Sequence, residues 1–283
     1  MRDKILITGG TGKTGSRLAR ILRDRGIQPR IASRSSQNEE QDGEVVRFDW
    51  RDGATSPAAL ADVHAIYLVS PTDTSEPLEV MRPFLEQAIS SGVEQFVLLS
   101  ASSLEEDGPM MGKVHVYLRS EAPGWTVLRP TWFMQNFSEG PHRATIRDEG
   151  VIYSATGQGR VPFIDAGDIA GVAAQALVDP LFPSRDAVLT GPQLLSYDEV
   201  ALLLSQVLGR EIVHRRLSEA ELTKRYEQLG LPPEYALILA AMDTAIAQGA
   251  ENRVTDEVQG ITGREPSSFL AFAAAAQQAW NTA

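Results

Sequence analysis

Apolar positions in the first two-thirds of the chain fall into short β-rich runs separated by stretches with helical spacing. Ile5, Leu6 and Ile7 are continuous, whereas Leu18, Ile21 and Leu22 recur at i, i+3 and i+4. Further runs place strands over 4–8, 29–33, 45–49, 65–69, 95–100 and 126–129, and Val80, Phe84, Ala88 and Ile89 mark another helix. Past residue 129 the rhythm loosens. The stretch 131–150 carries aromatics, Met134 and Pro141, a short strand is expected at 151–154, and a helix fits 168–178 with Asp168 as its N-cap. Ser196 with Glu199 and Ser218 with Glu221 have capping-box spacing ahead of apolar runs, so the last third reads as mostly helical.

Strand alternating with helix is the pattern of βαβ units. The expected fold class is α/β, a Rossmann-like doubly wound parallel sheet with a smaller, mostly helical C-terminal substrate-binding part. We divide the chain into a nucleotide-binding domain over 1–150 and an interleaved part over 151–283 that closes the substrate cleft. That boundary is soft, because helix 168–178 is expected to pack back on the sheet.

With 283 residues, 43% of them hydrophobic, the chain can bury a full core, and neither a low-complexity linker nor an internal repeat divides it. A net charge of −11 and no long basic stretch argue against a nucleic-acid partner. Arg17, Arg20, Arg23 and Arg25 flank an apolar stripe and read as a solvated helix face. No signal-peptide pattern or apolar span near twenty residues is present, so a soluble, cytoplasmic protein with no membrane partner is expected. The sequence has no cysteine, which excludes disulfides and thiolate catalysis, and His64, His115, His142 and His214 show no metal-like pairing, so no metal site is expected.

The most informative segment is Thr8-Gly9-Gly10-Thr11-Gly12-Lys13-Thr14-Gly15, set between the first strand and the first helix. A strand that breaks at glycine and re-enters a helix presents unpaired backbone N–H groups at the positive end of the helix dipole, where a diphosphate can sit. Glycines at 9, 12 and 15 let the backbone approach the phosphates and the helix approach the sheet. Gly12-Lys13-Thr14 also ends like a P-loop, but the glycine such a loop needs five residues earlier is Ile7, a strand residue. Gly9, Thr11, Gly12, Lys13 and Thr14 are therefore candidate dinucleotide contacts, with Lys13 near the phosphates or merely solvated.

Selection between the two nicotinamide dinucleotides falls at the end of the second strand, where an acid bonds the ribose 2′-hydroxyl in NAD-specific domains. Here the chain reads Ala32-Ser33-Arg34-Ser35-Ser36, with no carboxylate before Glu39. An arginine flanked by hydroxyls suits a 2′-phosphate, so NADP(H) is the expected cofactor, held through Arg34 and Ser35. Asp49 and Trp50 end the third strand at the expected adenine edge; a simple strand-ending turn capped by Asp49 is the alternative.

Together with this turn and Arg34, the segments 128–137 (LRPTWFMQNF), 161–170 (VPFIDAGDIA), 190–196 (TGPQLLS) and 261–266 (ITGREP) carry a family likeness. Over essentially its whole length the chain resembles the NmrA-like branch of the atypical short-chain dehydrogenases, and within it the ergot-alkaloid-type, festuclavine- and agroclavine-synthase-like reductases. The resemblance implies a sheet binding NADPH across the carboxyl ends of its strands. Val69, Ser70, Pro71, Ser100, Ala101 and Ser102 would pass beside the ribose and nicotinamide, and 126–130 would support the nicotinamide side. Ordinary short-chain dehydrogenases carry a Tyr-x-x-x-Lys dyad after the fifth strand; here Met111 occupies the tyrosine position and His115 the lysine position.

Hydride addition to a ketone creates an alkoxide that needs a proton donor, whereas addition to an iminium ion neutralises a cation and gives an amine directly. The expected activity is therefore NADPH-dependent hydride transfer to an activated C=N bond or a conjugated acceptor such as a quinone, on a ring-containing cationic or conjugated small molecule of specialised metabolism. Candidate catalytic residues are His115, Ser102 and Tyr117, each with a purely structural alternative. Met111, Trp132, Phe133 and Phe137, with Met134, fit an apolar substrate wall or a buried core. Asn136 is read as fixing the loop. A non-catalytic NADP-sensing regulator and a cofactor-stabilised cyclase or isomerase are the rival readings.

Overall fold

The computed structural model describes residues 4–34 and 44–281. In chain order the elements begin β1 (Lys4–Ile7), α1 (Lys13–Asp24), β2 (Arg30–Ser33), β3 (Glu44–Arg47), α2 (Ser56–Leu60), β4 (Val63–Leu68), α3 (Pro77–Ser90), β5 (Gln95–Leu99), α4 (Met111–Glu121) and β6 (Gly124–Pro130). They continue with α5 (Gln135–Ser138), α6 (Arg143–Glu149), β7 (Val151–Ser154), β8 (Arg160–Val161), α7 (Ala166–Val178) and β9 (Arg185–Leu189). The chain ends with β10 (Leu195–Ser196), α8 (Tyr197–Leu208), β11 (Val213–Arg216), α9 (Glu219–Gln228), α10 (Pro233–Ala247), α11 (Glu257–Thr262) and α12 (Phe269–Ala275).

Two units emerge, each woven from separate stretches. The first comprises the described residues of Met1–Pro130, Ala166–Leu189 and Glu257–Arg264; the second comprises Thr131–Asp165, Thr190–Asp256 and the described residues of Glu265–Ala283. The cuts fall at 130, 165, 189, 256 and 264 rather than once near 150.

The first unit is a seven-stranded, wholly parallel sheet in the order β3-β2-β1-β4-β5-β6-β9. The strands read as continuous apolar runs because helices cover both faces, leaving Ile5, Leu6, Ile7, Ile66, Tyr67, Leu68, Phe96, Val97 and Leu98 buried. Helix α1 buries Leu18, Ala19 and Leu22 and packs on α7, whose alanines let it lie close to α1 and to β4, β5 and β6. Residues 168–178 thus do return to the sheet, although the helix starts at Ala166 and Asp168 lies in its first turn rather than at the N-cap. Strand β9 was not anticipated. At the other edge, Arg30 is buried on β2, where it donates to the Ala58, Ala59 and Ala61 carbonyls and pairs with Glu44 at 2.8 Å. Hydrogen bonding from Lys4, helped by Arg30, holds the Glu44 carboxyl below its ordinary pKa against partial desolvation.

The second unit has two small sheets, β8 antiparallel to β10 and β7 parallel to β11, dressed by helices. Its core gathers Phe137, Phe163, Tyr197 and Phe269, edge to face except for the tilted Phe137–Tyr197 pair, with contacting ring centroids 5.2–6.0 Å apart. Trp280 is buried beside them and donates its indole N–H to the Phe137 carbonyl at 2.8 Å. Both expected capping boxes form, Ser196 with Glu199 at α8 and Ser218 with Glu221 at α9. No helix among the described residues is long and apolar enough to cross a membrane.

Candidate functional site

After β1 the chain departs to β2 and β3 on one side of the sheet and returns to β4 on the other. Neighbouring strands therefore lead their connections apart at the carboxyl ends of β1 and β4, which opens a crevice there. Thr8 ties the two ends together. Its hydroxyl donates to the Tyr67 carbonyl at 3.0 Å and accepts from the Val69 N–H at 2.7 Å.

Gly9 adopts φ +64°, and a Cβ there would lie 2.9 Å from that of Val69. Gly15 sits so close to the turn that a Cβ would meet the Gly9 carbonyl oxygen at 2.3 Å. These contacts draw the turn over β4 and seat the first turn of α1 directly on it. Gly12 is the N-cap and provides no side-chain partner, so the opening N–H groups of α1, beginning with Lys13 and Thr14, are available to an anion. Thr14 faces inward, where its hydroxyl accepts from the Tyr67 phenol at 3.0 Å. Burial pushes that phenol far above its usual pKa, so it remains a neutral donor under the turn.

Gly9, Thr11, Arg34, Asp49, Trp50, Val69, Ser70 and Pro71 line one cleft of about 500 Å³, together with Arg51 and Asp73. Trp50 braces one side, packed edge-on against Phe48 and Phe84 with centroids 4.9 and 5.2 Å away. Asp49 makes a local turn, its carboxylate accepting from the Arg51 N–H at 2.9 Å. Arg34 is exposed at the cleft, while Arg51 reaches Asp73 at 3.3 Å. The Arg51 hydrogen bond, aided by the charges of Arg51 and Arg34, holds the Asp73 carboxyl below its usual value. Sequence reasoning missed Arg51, Asp73 and Tyr67, and it named Thr8 only as the opening of the glycine segment, without its bridge to β4. Ser35 lies outside the described residues.

Ser100, Ala101 and Ser102 leave β5 on a loop hydrogen-bonded to β6, with the Ser100 N–H on the Leu128 carbonyl and the Ser102 N–H on the Pro130 carbonyl. Ser102 is buried there, and its carbonyl accepts from Arg129 at 3.1 Å. Arg129, itself buried, also pairs with Glu105 at 2.6 Å and Asp186 at 3.1 Å, pinning this loop to β6 and β9. His115 is buried on α4 against Trp125, centroids 5.3 Å apart, and its Nε2 has no hydrogen-bond partner among the described residues. Burial pushes its pKa down, with Arg129 and Arg119 acting in the same direction and Glu106 and Asp186 against it. Tyr117 turns to another face of α4, beneath the Arg82 guanidinium at 4.9 Å, and lines a groove with Leu78 and Lys113 rather than the nucleotide cleft. Met111 is buried in the core of the first unit.

In the second unit Trp132 and Phe133 are half-buried, whereas Met134 and Phe137 are core. Phe137 stacks on His142 at 5.1 Å, and burial lowers the His142 pKa to about 4. Ser154, His214 and Asp198 form a hydrogen-bonded chain with steps of 2.8 and 2.9 Å. This resembles a nucleophilic triad in outline, but Ser154 has no exposed surface and also bonds Thr156 at 2.7 Å, so the chain braces β7, β11 and α8.

A glycine turn at the switch point of a doubly wound parallel sheet, facing a cleft edged by arginine, defines a dinucleotide-binding α/β protein. Residues 1–265 match the NmrA-like family, and the chain belongs to it. It is 44% identical over 281 residues to the uncharacterized oxidoreductase YesF of Bacillus subtilis (strain 168), covering 99% of this chain and 98% of that one. It is 42% identical over 286 residues to agroclavine dehydrogenase of Claviceps fusiformis, covering 98% of each. Among solved structures, NADPH-dependent quinone oxidoreductase QOR2 of Escherichia coli, complexed with NADPH, matches with a TM-score of 0.83 at 22% identity, over 96% of this chain and 99% of that one.

Proposed function

We propose that this protein is an NADP(H)-dependent reductase that delivers hydride to an activated C=N bond, or to a conjugated acceptor, of a ring-containing small molecule. The observation that carries the reading is the cleft lined by Gly9 and Thr11 of the glycine turn, which leads into the uncapped start of α1, together with Arg34. Closely packed Gly9 and Gly15 leave room for a diphosphate against backbone N–H groups, and Arg34 with Arg51 provides positive charge where a 2′-phosphate would lie. Agroclavine dehydrogenase and YesF support an oxidoreductase. Bound NADPH supplies the hydride.

For the acceptor, the support lies in α4. None of the six tyrosines is followed four residues later by lysine: Tyr67, Tyr117, Tyr153, Tyr197, Tyr226 and Tyr235 are followed by Pro71, Glu121, Gly157, Ala201, Gly230 and Leu239. Met111 carries no proton to give, and His115 is turned into the core with its pKa depressed. A ketone would become an alkoxide requiring protonation, whereas an iminium carbon takes the hydride pair and its nitrogen becomes a neutral amine without a proton donor. The chain's own task is then to bind, orient and exclude water.

The test is NADPH oxidation, followed by absorbance, across cyclic iminium ions, quinones and simple ketones. Iminium ions are expected to turn over and ketones are not. NADPH binding without oxidation of any iminium ion or quinone would overturn the reading in favour of a cofactor sensor.

A further inference from the structure

Two loops of the first unit meet at the nucleotide cleft through a pair of opposite charges, Arg51 and Asp73. Both side chains line the cleft and are more than half exposed, at 55% and 66%. Arg51 follows β3, where the Asp49 carboxylate is occupied with the Arg51 backbone N–H at 2.9 Å and Asp52 pairs with Arg47 at 3.5 Å. Among the described residues Asp73 is therefore the acid that meets the Arg51 guanidinium. It lies between β4 and α3 on a stretch anchored at both ends, by the Val69 N–H on the Thr8 hydroxyl at 2.7 Å and by Glu76 on Lys113 at 2.6 Å. The Arg51 hydrogen bond first, and also the charge of Arg34, hold the Asp73 carboxyl below its usual pKa, so the two arginines and the acid share one electrostatic neighbourhood.

The pair is loose. Nε and Nη2 of Arg51 both reach a single oxygen, Oδ2, at 3.3 Å, longer than the roughly 2.7–2.9 Å of a close charge-assisted bond. An exposed pair of this kind shifts an equilibrium by no more than about fivefold. A phosphate monoester carries about −1.5 to −2 charges near neutral pH and fits the guanidinium fork with two parallel bonds, so a 2′-phosphate takes Arg51 from the carboxylate. The neutral 2′-hydroxyl of NADH cannot force that exchange. In NAD-specific domains a carboxylate at the end of the second strand receives this hydroxyl. Here the second strand leads into Arg34, and the acid comes instead from the β4 side of the cleft.

We propose that Asp73 is a built-in competitor for the 2′-phosphate: it keeps Arg51 when NADH binds, yields it when NADPH binds, and thereby narrows the protein's preference for NADPH. The assignment rests on the NADP(H) reading of the cleft and deepens it, and it does not depend on which acceptor the hydride reaches. It makes an acid, whose charge opposes the phosphate, a determinant of cofactor selection.

The experiment is calorimetric titration of the full chain with NADPH and with NADH, at low salt and at about 0.3 M salt. Asp73→Asn is expected to tighten NADPH by about two- to fivefold at low salt and to leave NADH no tighter, so the preference for NADPH rises by about the same factor. Asp73→Glu keeps the charge and is expected to keep the wild-type ratio of the two Kd values. Arg51→Ala is then measured in the Asp73→Asn background at about 0.3 M salt, where a charge that makes no contact is screened. There it is expected to weaken NADPH by about fivefold or more and to leave NADH within about twofold. An unchanged or lower preference in Asp73→Asn, an equal gain for both dinucleotides, or a loss of NADPH under about twofold on removing Arg51 overturns the assignment. Arg34→Ala separates this result from the cofactor reading. If the wild type prefers NADPH and Arg34→Ala lowers that preference while Asp73→Asn leaves it unchanged, the role of Asp73 falls and the NADP(H) reading stands. If the wild type prefers NADH and Asp73→Asn shifts it toward NADPH, the role of Asp73 stands and the NADP(H) preference falls. A wild type that binds neither dinucleotide overturns both.

Discussion

Gly15→Ala sets two physical effects against each other. Alanine is the better helix former, and in an open helix interior this exchange would stabilise by about 1 kcal/mol. At residue 15, however, the added methyl would lie 2.3 Å from the Gly9 carbonyl oxygen and 2.8 Å from the Gly10 Cα, and neither backbone atom can rotate away as a flexible side chain could. Forcing a methyl into a closed backbone contact costs about 1–3 kcal/mol, so the variant is expected to lose net stability by about 1 kcal/mol. The larger effect should fall on the cofactor. Relief requires the start of α1 to separate from the turn, and forfeiting one backbone hydrogen bond to an anionic phosphate is worth about tenfold or more in affinity. Urea denaturation reads the first effect and calorimetric titration with NADPH the second. A variant at least as stable as wild type, binding NADPH within about twofold of it, would refute the argument that this contact seats the diphosphate turn.

Other outcomes follow from the same geometry. Arg34→Ala is expected to reduce the preference for NADPH over NADH by about tenfold or more, read from the ratio of the two Kd values, and an unchanged ratio removes Arg34 from 2′-phosphate recognition. Asp73→Asn, which releases Arg51 and removes a negative charge from the cleft, is expected to tighten NADPH by about two- to fivefold at low salt; weakening would mean that Asp73 orders the cleft instead. Ser218→Ala removes the side-chain half of the α9 capping box and should cost about 1 kcal/mol in urea denaturation. Burial raises the Asp243 pKa from 3.8 to about 6, so the folded state binds its proton more tightly than the unfolded state. Its contribution to stability is present below about pH 4, is lost as pH rises through about 6, and amounts to about 3 kcal/mol. Asp243→Asn should flatten that part of the stability profile, and an unaltered profile would deny the raised value.

Features encoded locally were legible in the sequence. The glycine turn, both capping boxes and strand β7 depend on neighbours a few residues apart, and the interior strands β1, β4, β5 and β6 announced themselves as apolar runs because parallel strands are covered on both faces, whereas edge strand β3 showed only Val45 and Val46 between charged ends. Long-range relations were not legible. Strand β9 begins with Arg185 and Asp186, whose charges are taken up by Glu257 and Arg129, and these polar positions mask a strand five residues long. Phe137 and Trp132 look alike as aromatics after a strand, yet only Phe137 enters the four-ring core. His115 was singled out by its spacing on α4, and only the structure places Trp125 beside it. Asp243 gave no signal, because one acid in an apolar helix reads as a solvated position until its burial is known.

The interlacing of the two units also bears on synthesis and engineering. Strand β9 and helix α7 are encoded after a 35-residue excursion into the second unit, from Thr131 to Asp165. While only the first 130 residues have left the ribosome, β6 presents a bare hydrogen-bonding edge and the sheet lacks the alanine-rich cover of α7. Truncation near residue 150 would freeze the nascent protein in that sticky condition. Transplanting the cofactor-binding half into another enzyme would require carrying its three segments together.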